Sequence, residues 1–354
     1  ATSSDSNFNG VDPADITLTN SDNDTPGITV SPTAGLTTTE AGGVATFTVK
    51  LNTAPTANIT LTLSSSNEAE GRIRRGTNCD NAGTAGTGSC TLVFTPASWN
   101  SAQTVGVVGQ NDFVADGSIS YSVFFSTPSS SSDTNYNGLT PASVALSNSD
   151  NDMAGVTVSA ISGNTTESGT TATFTVVLTS QPLSPVDTYY SSSNTGEGQI
   201  KQSLGLCATA GTAAATACKL SFTSANWSTP QTVTVQGIND FVQDGNITYN
   251  LTSAAIAGSG ADYNGIIPAS VTVTNIDNDV AGFTVLPSSG LITTEAGGTA
   301  TFSVRLNSQP TAAVTIGLSS SNTAEGTVSP ASLVFDSSNW STNQTVTVTG
   351  VADN

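Results

Sequence analysis

The chain has 354 residues, of which 26 are acidic, 7 are basic and none is histidine. The formal charge of −19 argues against a nucleic-acid-binding protein, because such proteins need a basic surface. Without histidine there can be no Ser-His-Asp catalysis and no histidine-ligated metal. No apolar run approaches the length of a membrane-spanning helix, so we expect no membrane span.

The first 24 residues read as the end of a repeated segment. Their strand-like pattern DITLTN, at residues 15–20, follows SDSNFNG and precedes SDND. The same order returns later in the chain as SDTNYNG, SVALSN and SDND. We therefore predict that residues 1–24 are the C-terminal strand region of a preceding repeat.

Residues 25–152 show apolar alternation with a period of two, as in FTVKL at 47–51 and ITLTL at 59–63. This period, with Val, Thr, Ile and Phe, predicts half-buried strands separated by Gly, Asn, Pro and Ser turns. The predicted strands are A near 27–31, B 44–51, C 57–64, D 91–95, E 103–109, F 118–125 and G 142–148. About seven short strands predict an immunoglobulin-like antiparallel β-sandwich.

The pattern then repeats. NDFVADG at 111–117 returns as NDFVQDG at 239–245, and SDND at 149–152 returns as IDND at 276–279. We predict an all-β linear array of tandem sandwiches: repeat 1 at 25–152, repeat 2 at 153–279 and an incomplete repeat 3 at 280–354. Phe47, Phe174 and Phe302 occupy matching inward positions and are predicted to lie in the cores.

Acidic residues recur at fixed places in the repeats. In a sandwich whose strands alternate in direction, the AB, CD and EF loops and the exit of strand G share one end. Seventeen of the 26 acidic residues fall at these positions. They are Asp22, Asp24, Glu40, Glu70, Asp112, Asp116, Asp150, Asp152, Glu167, Glu197, Asp240, Asp244, Asp277, Asp279, Glu295, Glu325 and Asp353.

Six carboxylates at one pole would repel one another without a counter-ion. Ca²⁺ fits best because it takes six to eight oxygen ligands in flexible geometry, whereas Zn²⁺ prefers nitrogen and sulfur. Asn111, Asn151 and backbone carbonyls are candidates to complete the shell. A solvated acidic pole without a fixed ion is the alternative. Asp133–Gly138 resembles the start of a calcium loop, but we interpret it mainly as a turn.

These motifs resemble a known family. TEAGG after strand A, NDFVADG between strands E and F, and the terminal SDND resemble Calx-beta domains and the cadherin-like modules of bacterial surface adhesins. The resemblance implies a sandwich whose loop acids bind calcium at one end. It departs from the family in having Asp116 and Asp244 where Glu is frequent, and in carrying a cysteine-containing insert.

The acids also lie at the predicted junctions between repeats, because strand G exits beside them and the next strand A follows almost at once. We therefore expect Ca²⁺ to hold successive sandwiches in a stiff rod.

The four cysteines occur as two pairs with one spacing. Cys79 and Cys90 are eleven residues apart, as are Cys207 and Cys218, and each pair lies in a Gly/Ala/Thr-rich insert. Equal spacings favour the disulfides Cys79–Cys90 and Cys207–Cys218, which implies an oxidising, extracellular or cell-surface location.

The sequence bears on three classes of function. The leading hypothesis is a structural filament or adhesin stalk, with copies of itself or adjoining repeats as partners. The alternative is a glycan- or protein-binding adhesin module that recognises a surface receptor through exposed aromatics. Its candidate residues are Tyr136, Tyr189, Tyr190 and Tyr263, while the tryptophans are more simply core or rim anchors. A glycosidase-like enzyme is disfavoured, because an active site would not recur in every repeat.

The two ends leave two interpretations open. The chain is a segment of a longer array, or it is one unit of a head-to-tail polymer in which a neighbour's residues 12–20 add strand G to repeat 3. The sequence favours the array slightly, because strand F of repeat 3 would still be missing from the polymer.

Overall fold

A computed structural model describes residues 1–75, 79, 84–86, 88–128, 133–257 and 262–352. The described residues contain strands, turns and coil, and no helix that could cross a membrane. The chain divides into two compact units, residues 1–112 with 116–151 and residues 113–115 with 152–354. The predicted all-β class is confirmed.

The described residues of unit 1 form ten strands, which we call sandwich 1. They are β1 Ile28–Ser31, β2 Leu36–Thr39, β3 Val44–Leu51, β4 Ile59–Ser65, β5 Gly71–Arg75, β6 Thr84–Ala85, β7 Ser89–Phe94, β8 Gln103–Gly109, β9 Ile119–Phe125 and β10 Val144–Ser149. One sheet has the order β1-β3-β8-β5-β6 and the other β2-β10-β9-β4-β7.

Unit 2 contains the remaining strands. Sandwich 2 consists of β11 Val156–Val158, β12 Thr165–Thr166, β13 Thr171–Leu178, β14 Val186–Ser192, β15 Gly198–Ser203, β16 Leu206–Cys207, β17 Thr212–Ala214, β18 Cys218–Phe222, β19 Gln231–Gly237, β20 Ile247–Ser253 and β21 Val271–Ile276. Sandwich 3 consists of β22 Phe283–Leu286, β23 Thr299–Leu306, β24 Val314–Gly317, β25 Gly326–Ser329, β26 Ser332–Phe335 and β27 Gln344–Gly350.

The two layers of sandwich 2 are continuous at one place. One layer has the strand order β11-β13-β19-β15-β16 and the other has the order β18-β14-β20-β21-β12. The two layers are joined because β16 pairs with β18, with Leu206 opposite Lys219. Sandwich 3 has a four-stranded sheet, β22-β23-β27-β25, and a two-stranded sheet, β24-β26.

Each core follows from the alternation of the strands. Phe47, Phe174 and Phe302 lie at matching register positions on β3, β13 and β23, opposite Val105, Val233 and Val346. Phe47 and Phe174 are buried, as the sequence predicts, and Phe302 packs against its core while remaining partly exposed. Three separate cores result, one for each sandwich.

Two features differ from the sequence-based expectation. The short strands β2 and β12 directly precede Glu40 and Glu167. They pair in parallel with β10 and β21, whereas the sequence predicts antiparallel pairing alone. In addition, β5 and β15 follow Glu70 and Glu197 and pair with β8 and β19. These strands are short and polar, so a period-two search does not find them.

The aromatics expected to be exposed for glycan binding are mostly buried, which corrects that expectation. Tyr136, Tyr190 and Tyr263 are at most 2% exposed, and only Tyr189 of the four is on the surface, at 48%. Tyr136 and Tyr263 direct their hydroxyls to the backbone carbonyls of Thr53 and Ser180, at 2.7 and 2.6 Å. They therefore anchor the sandwiches from inside.

Both expected disulfides are present. Cys79 bonds to Cys90 and Cys207 to Cys218, and the described chain has no free cysteine. The second bridge joins β16 to β18, where the two layers of sandwich 2 meet.

Candidate metal centre

The acidic loops of sandwich 2 meet at one end, as the strand order predicts. Glu167 follows β12 and Glu197 precedes β15, while Asp240 and Asp244 lie in the loop between β19 and β20. Asp279 follows β21. Carboxylates from four segments of the chain are thereby brought to one pole.

Two groups of carboxylates share one member. One oxygen each from Glu167, Asp240 and Asp279 lie within 4.8 Å of one another, and so do oxygens from Glu197, Asp240 and Asp244. Both glutamates are buried, and the two groups have Asp240 in common. The centre therefore consists of two carboxylate groups joined through Asp240.

Unit 1 contains the matching second group. Glu70, Asp112 and Asp116 bring oxygens within 4.8 Å of one another. Glu40 is buried, and its Oε2 accepts the backbone N–H of Asn151 at 3.1 Å, as Glu167 accepts that of Asn278 at 3.1 Å. Asp152, the counterpart of Asp279, belongs to unit 2.

A buried asparagine orients the glutamate at the centre. Asn275, on β21, is 1% exposed and donates its amide to Glu197 Oε2 at 3.2 Å and to the carbonyl of Ile238 at 3.1 Å. Its own oxygen accepts the Thr165 hydroxyl at 3.0 Å. Both polar atoms of the Asn275 side chain are thus hydrogen-bonded.

Sandwich 1 repeats this arrangement with Asn148. Its amide donates to Glu70 Oε2 at 3.2 Å and to the Gln110 carbonyl at 2.9 Å, and the Thr38 hydroxyl donates to its oxygen at 2.9 Å. Neither asparagine is among the site residues predicted from the sequence. The available signal was their recurrence two residues before the first aspartate of SDND and IDND.

Asp150 and Asp277, predicted as ligands, lie outside these groups of three. Asp277 accepts the backbone N–H of Asp279 at 2.6 Å and of Gly245 at 2.8 Å, and these hydrogen bonds lower the pKa of its carboxyl. Asp150 accepts the Gly117 N–H at 2.7 Å. Both carboxylates connect the exit of the last strand to the neighbouring acidic loop.

The remaining predicted ligands are not gathered into a cluster. Asp22, Asp24, Glu295 and Glu325 are exposed, and Asp353 lies outside the described residues. Glu295 and Glu325 stand at the same sequence positions as the buried pair Glu40 and Glu70.

Burial and mutual repulsion make the cluster costly when it is fully ionised. Burial, followed by the charges of Asp277, Asp240 and Asp279, raises the pKa of Glu167 to about 7, although the hydrogen bond from Asn278 opposes the shift. Burial likewise raises the pKa values of Glu197, Asp244 and Asp279, and neighbouring carboxylates add to each shift. A bound cation would offset this cost.

The donor set fits a hard cation. Asp279 Oδ2 is buried and has no hydrogen-bond partner within the described part of the chain, so one lone-pair-bearing atom at the centre is unsatisfied. The side chains of Asn239 and Asn278 lie in the same loops and approach each other at 3.4 Å. An all-oxygen set on loops suits Ca²⁺ better than Zn²⁺.

Comparisons with known proteins give only distant similarities. No family model and no curated protein matches the chain. Among solved structures, the calcium-binding domain CBD12 of CALX1.1 is 14% identical over 66% of this chain and 82% of that chain, with a TM-score of 0.25. CBD12 from CALX1.2 is 15% identical over the same shares, also at 0.25.

A marsupial T cell receptor is 14% identical over 94% of this chain and 93% of that chain, with a TM-score of 0.21.

Proposed function

We propose that this protein is an extracellular structural protein, of filament or adhesin-stalk type, whose tandem β-sandwiches are stiffened by Ca²⁺ held in the acidic loops. The observation that carries the proposal is the cluster of Glu167, Glu197, Asp240, Asp244 and Asp279, with Asp240 common to its two halves. Bound Ca²⁺ would supply positive charge that neutralises this cluster. The recurrence of the group in unit 1 argues for a repeated structural role and against a single active site.

The loop that carries the carboxylates also contacts the next sandwich. Phe241 follows Asp240 directly, and its ring lies 6.0 Å, centroid to centroid, from that of Trp340 in sandwich 3. The Phe241 carbonyl accepts the backbone N–H of Gln309 at 2.7 Å. Cation binding at Asp240 and contact with sandwich 3 therefore involve adjacent residues of one loop.

The same loop also contacts the linker between sandwiches 2 and 3, residues 277–282. Gln243 Oε1 accepts the N–H of Ala281 at 2.8 Å. Unit 2 contains a second aromatic pair of the same kind, since Phe113 packs against Trp227 at 5.9 Å and its carbonyl accepts the Gln181 N–H at 2.6 Å. Unit 2 therefore contains two such contacts, each made by a phenylalanine that directly follows the aspartate of an Asn-Asp-Phe motif.

The two disulfides support an oxidising, extracellular location. The alternative, a glycan-binding module, has less support because three of its four candidate tyrosines are buried. Tyr189 remains as an exposed aromatic for such a role.

Calcium titration of the full chain tests the proposal. We expect isothermal titration calorimetry to detect Ca²⁺ binding. Asp240→Asn should weaken the binding of Ca²⁺ to sandwich 2 by at least about tenfold, because this one substitution removes a candidate ligand from both carboxylate groups. The matched control is Asp187→Asn, which removes a carboxylate that pairs with Lys219 at 3.2 Å on a sheet surface. This control should bind as the unchanged protein does.

The mechanical part of the proposal needs a second measurement. Chelation should shorten the maximum dimension in small-angle X-ray scattering and increase protease cleavage near residues 280–282. Chelation that alters neither quantity would contradict a role in stiffness, even if the ion binds.

A further inference from the structure

The short parallel strands β2 and β12 each place a threonine opposite a buried asparagine. In the pairing of β2 with β10, Thr38 lies opposite Asn148, and in that of β12 with β21, Thr165 lies opposite Asn275. Both threonines are 0% exposed. Because β12 has only two residues, its pairing adds few backbone hydrogen bonds. What the two pairings share is the placement of a buried hydroxyl beside a buried amide.

The neighbours of Asn275 determine which way its amide faces. Its Nδ2 lies 3.2 Å from Glu197 Oε2 and 3.1 Å from the carbonyl oxygen of Ile238. An ionised carboxylate and a carbonyl can only accept hydrogen bonds, so both require the NH₂ side of the amide. The Thr165 hydroxyl lies 3.0 Å from Oδ1 and donates its single hydrogen there. The hydroxyl therefore holds the amide oxygen while the amide hydrogens face Glu197.

A buried tyrosine supplies this threonine with a donor of its own. Tyr249 is 3% exposed, and its hydroxyl oxygen lies 3.4 Å from Thr165 Oγ1. Because the single hydrogen of Thr165 points to Asn275, the hydrogen between the two hydroxyls comes from Tyr249. The donors then follow one direction, from the phenol to the hydroxyl, to the amide and finally to the Glu197 carboxylate.

Sandwich 1 contains the same series of hydrogen bonds. Thr38 Oγ1 lies 2.9 Å from the Tyr121 hydroxyl and 2.9 Å from Asn148 Oδ1. The next acceptor, the carbonyl oxygen of Ser147, is farther from Thr38 Oγ1, at 3.4 Å. Asn148 donates to Glu70 Oε2 at 3.2 Å, and the four side chains of the series are at most 7% exposed. Two copies of one buried network indicate a role that both acidic poles share.

Two glycines in each sandwich leave the space that this network occupies. A Cβ atom at Gly198 would overlap the ring and hydroxyl of Tyr249, and a Cβ atom at Gly237 would overlap Asn275 Oδ1. The counterparts of these glycines in sandwich 1 are Gly71 and Gly109. The glycine of the recurring Glu-Gly sequence is thus explained by the close approach of a tyrosine to the backbone beside the glutamate.

We infer that Thr165 and Thr38 are positioning residues of the metal centre. Each hydroxyl acts through the asparagine amide to hold a glutamate carboxylate in the orientation in which it meets the other acidic side chains of its group. The inference deepens the proposed function, on which it rests, by naming groups that orient a candidate ligand without touching the cation. Hydrogen bonds of this outer kind orient the ligands of many metal sites.

Removal of the threonine hydroxyl should affect the glutamate. Asn275 Oδ1 would become a buried acceptor that has lost its donor, which is unfavourable, so the amide would tilt away from its present position. Glu197 would then lose the donor that fixes its carboxylate. A glutamate that is no longer fixed loses more conformational freedom when it binds a cation. Calcium should therefore bind more weakly, although every carboxylate is retained.

Two substitutions at Thr165 separate the hydroxyl from the methyl group. Thr165→Val keeps the shape of the side chain and removes the hydroxyl, whereas Thr165→Ser keeps the hydroxyl and removes the methyl group. Both are made in the full chain with Asp112→Asn, which weakens the carboxylate group of unit 1, so that calorimetry reports chiefly on sandwich 2. We expect Thr165→Val to weaken calcium binding by about tenfold and Thr165→Ser by less than about twofold.

Thr188→Val is the matched control in the same sandwich. Thr188, on β14, is 1% exposed, and its hydroxyl is hydrogen-bonded to that of Ser253 at 2.8 Å. This control should lower stability in the presence of a chelator, as Thr165→Val does, but it should leave calcium affinity unchanged. Equal calcium affinities of the two valine variants would overturn the inference. A loss in Thr165→Ser as large as that in Thr165→Val would also overturn it, because packing of the methyl group would then explain the effect.

The side-chain amide of Asn275 provides a second readout, which needs no metal. In the calcium-free chain, nuclear magnetic resonance should show its amide hydrogens exchanging slowly with solvent when Thr165 or Thr165→Ser is present. In Thr165→Val the exchange should be faster, because the amide is held on one side only. An exchange rate that Thr165→Val leaves unchanged would overturn the inference, since the hydroxyl would then not hold the amide.

The two readouts together keep the positioning role and the proposed function apart. Calcium binding with equal affinities of the two valine variants, or with an unchanged amide exchange rate, would leave the metal centre standing and remove the positioning role alone. A chain with all its threonines and carboxylates in place that binds no calcium would overturn the proposed function, and the positioning role with it.

Discussion

Asn275 connects three segments of sandwich 2 that are far apart in the chain. Its side chain is hydrogen-bonded to Glu197, to the carbonyl of Ile238 and to the hydroxyl of Thr165. Thr165 is 110 residues away in the sequence. Because the side chain is buried, each of these bonds replaces one that water would otherwise make. A small polar residue thereby orients a ligand candidate and satisfies the loop that carries the others.

We expect Asn275→Ala to lower the free energy of unfolding of sandwich 2 by about 2–4 kcal/mol, because it leaves several buried polar groups without partners. It should also weaken calcium binding, since Glu197 loses the donor that orients it. Chemical denaturation and calorimetry measure the two effects.

Asn250→Ala is the matched control for Asn275. Asn250 lies on the neighbouring strand β20, is exposed, and accepts the hydroxyl of Thr272 at 2.9 Å. It should change stability by less than about 0.5 kcal/mol. Equal effects from the two substitutions would contradict the role assigned to Asn275.

At the scale of elements, the insert of repeat 2 is folded against the sheet as short strands. In sandwich 2, β16 pairs with both β15 and β18, and the Cys207–Cys218 bridge joins β16 to β18. Cys218 is fully buried against the core. Sandwich 3 has neither the insert nor its cysteines, so the insert is an addition to the sandwich and not a requirement for it.

Replacing Cys207 and Cys218 together by Ala should lower the stability of sandwich 2 by about 3 kcal/mol, since the closed loop no longer restricts the unfolded chain. Denaturation followed by the fluorescence of Trp227 measures this change. Sandwich 3 should unfold as before, and Trp340 reports on it. An unchanged midpoint for sandwich 2 would mean that the pairing of β16 with β18 is sufficient without the bridge.

At the scale of the whole molecule, the loop between β19 and β20 connects sandwich 2 with sandwich 3 inside unit 2. Phe241 has a backbone φ of 72°, in the left-handed region that residues other than glycine seldom adopt. Its ring contacts Trp340 and its carbonyl accepts a hydrogen bond from Gln309. These contacts offset the cost of that conformation.

We expect Phe241→Ala to loosen the junction between sandwiches 2 and 3 and also to lower calcium affinity, because a cation that stiffens the junction must, by linkage, bind less tightly once the junction is loosened. Faster protease cleavage near residues 280–282 in the presence of calcium would report the loosening. Phe124→Ala, which removes a 49% exposed ring from β9 in unit 1, is the control and should leave that cleavage rate as it was. Faster cleavage with an unchanged calcium affinity would instead show that the junction is not coupled to the cation.

The sequence alone determined the all-β class, the order of most strands, the disulfide pairs and the end of the sandwich at which the acids lie. These follow from local rules, because a period of two assigns each residue of a strand to a face and alternating strand direction assigns each loop to an end. The internal repeats support these assignments, since Glu167, Glu197 and Asp240 stand at the same repeat positions as Glu40, Glu70 and Asp112.

Only the tertiary structure decided how the acidic residues divide their roles. Asp277 accepts backbone hydrogen bonds while Asp279 keeps a buried oxygen unpaired, although the two stand two residues apart in one motif. Likewise, tyrosines that look available in the sequence are buried anchors. These outcomes depend on which side chains face each other across paired strands such as β12 and β21. A contact between residues 110 positions apart, such as Thr165 with Asn275, produces no periodic pattern in the sequence.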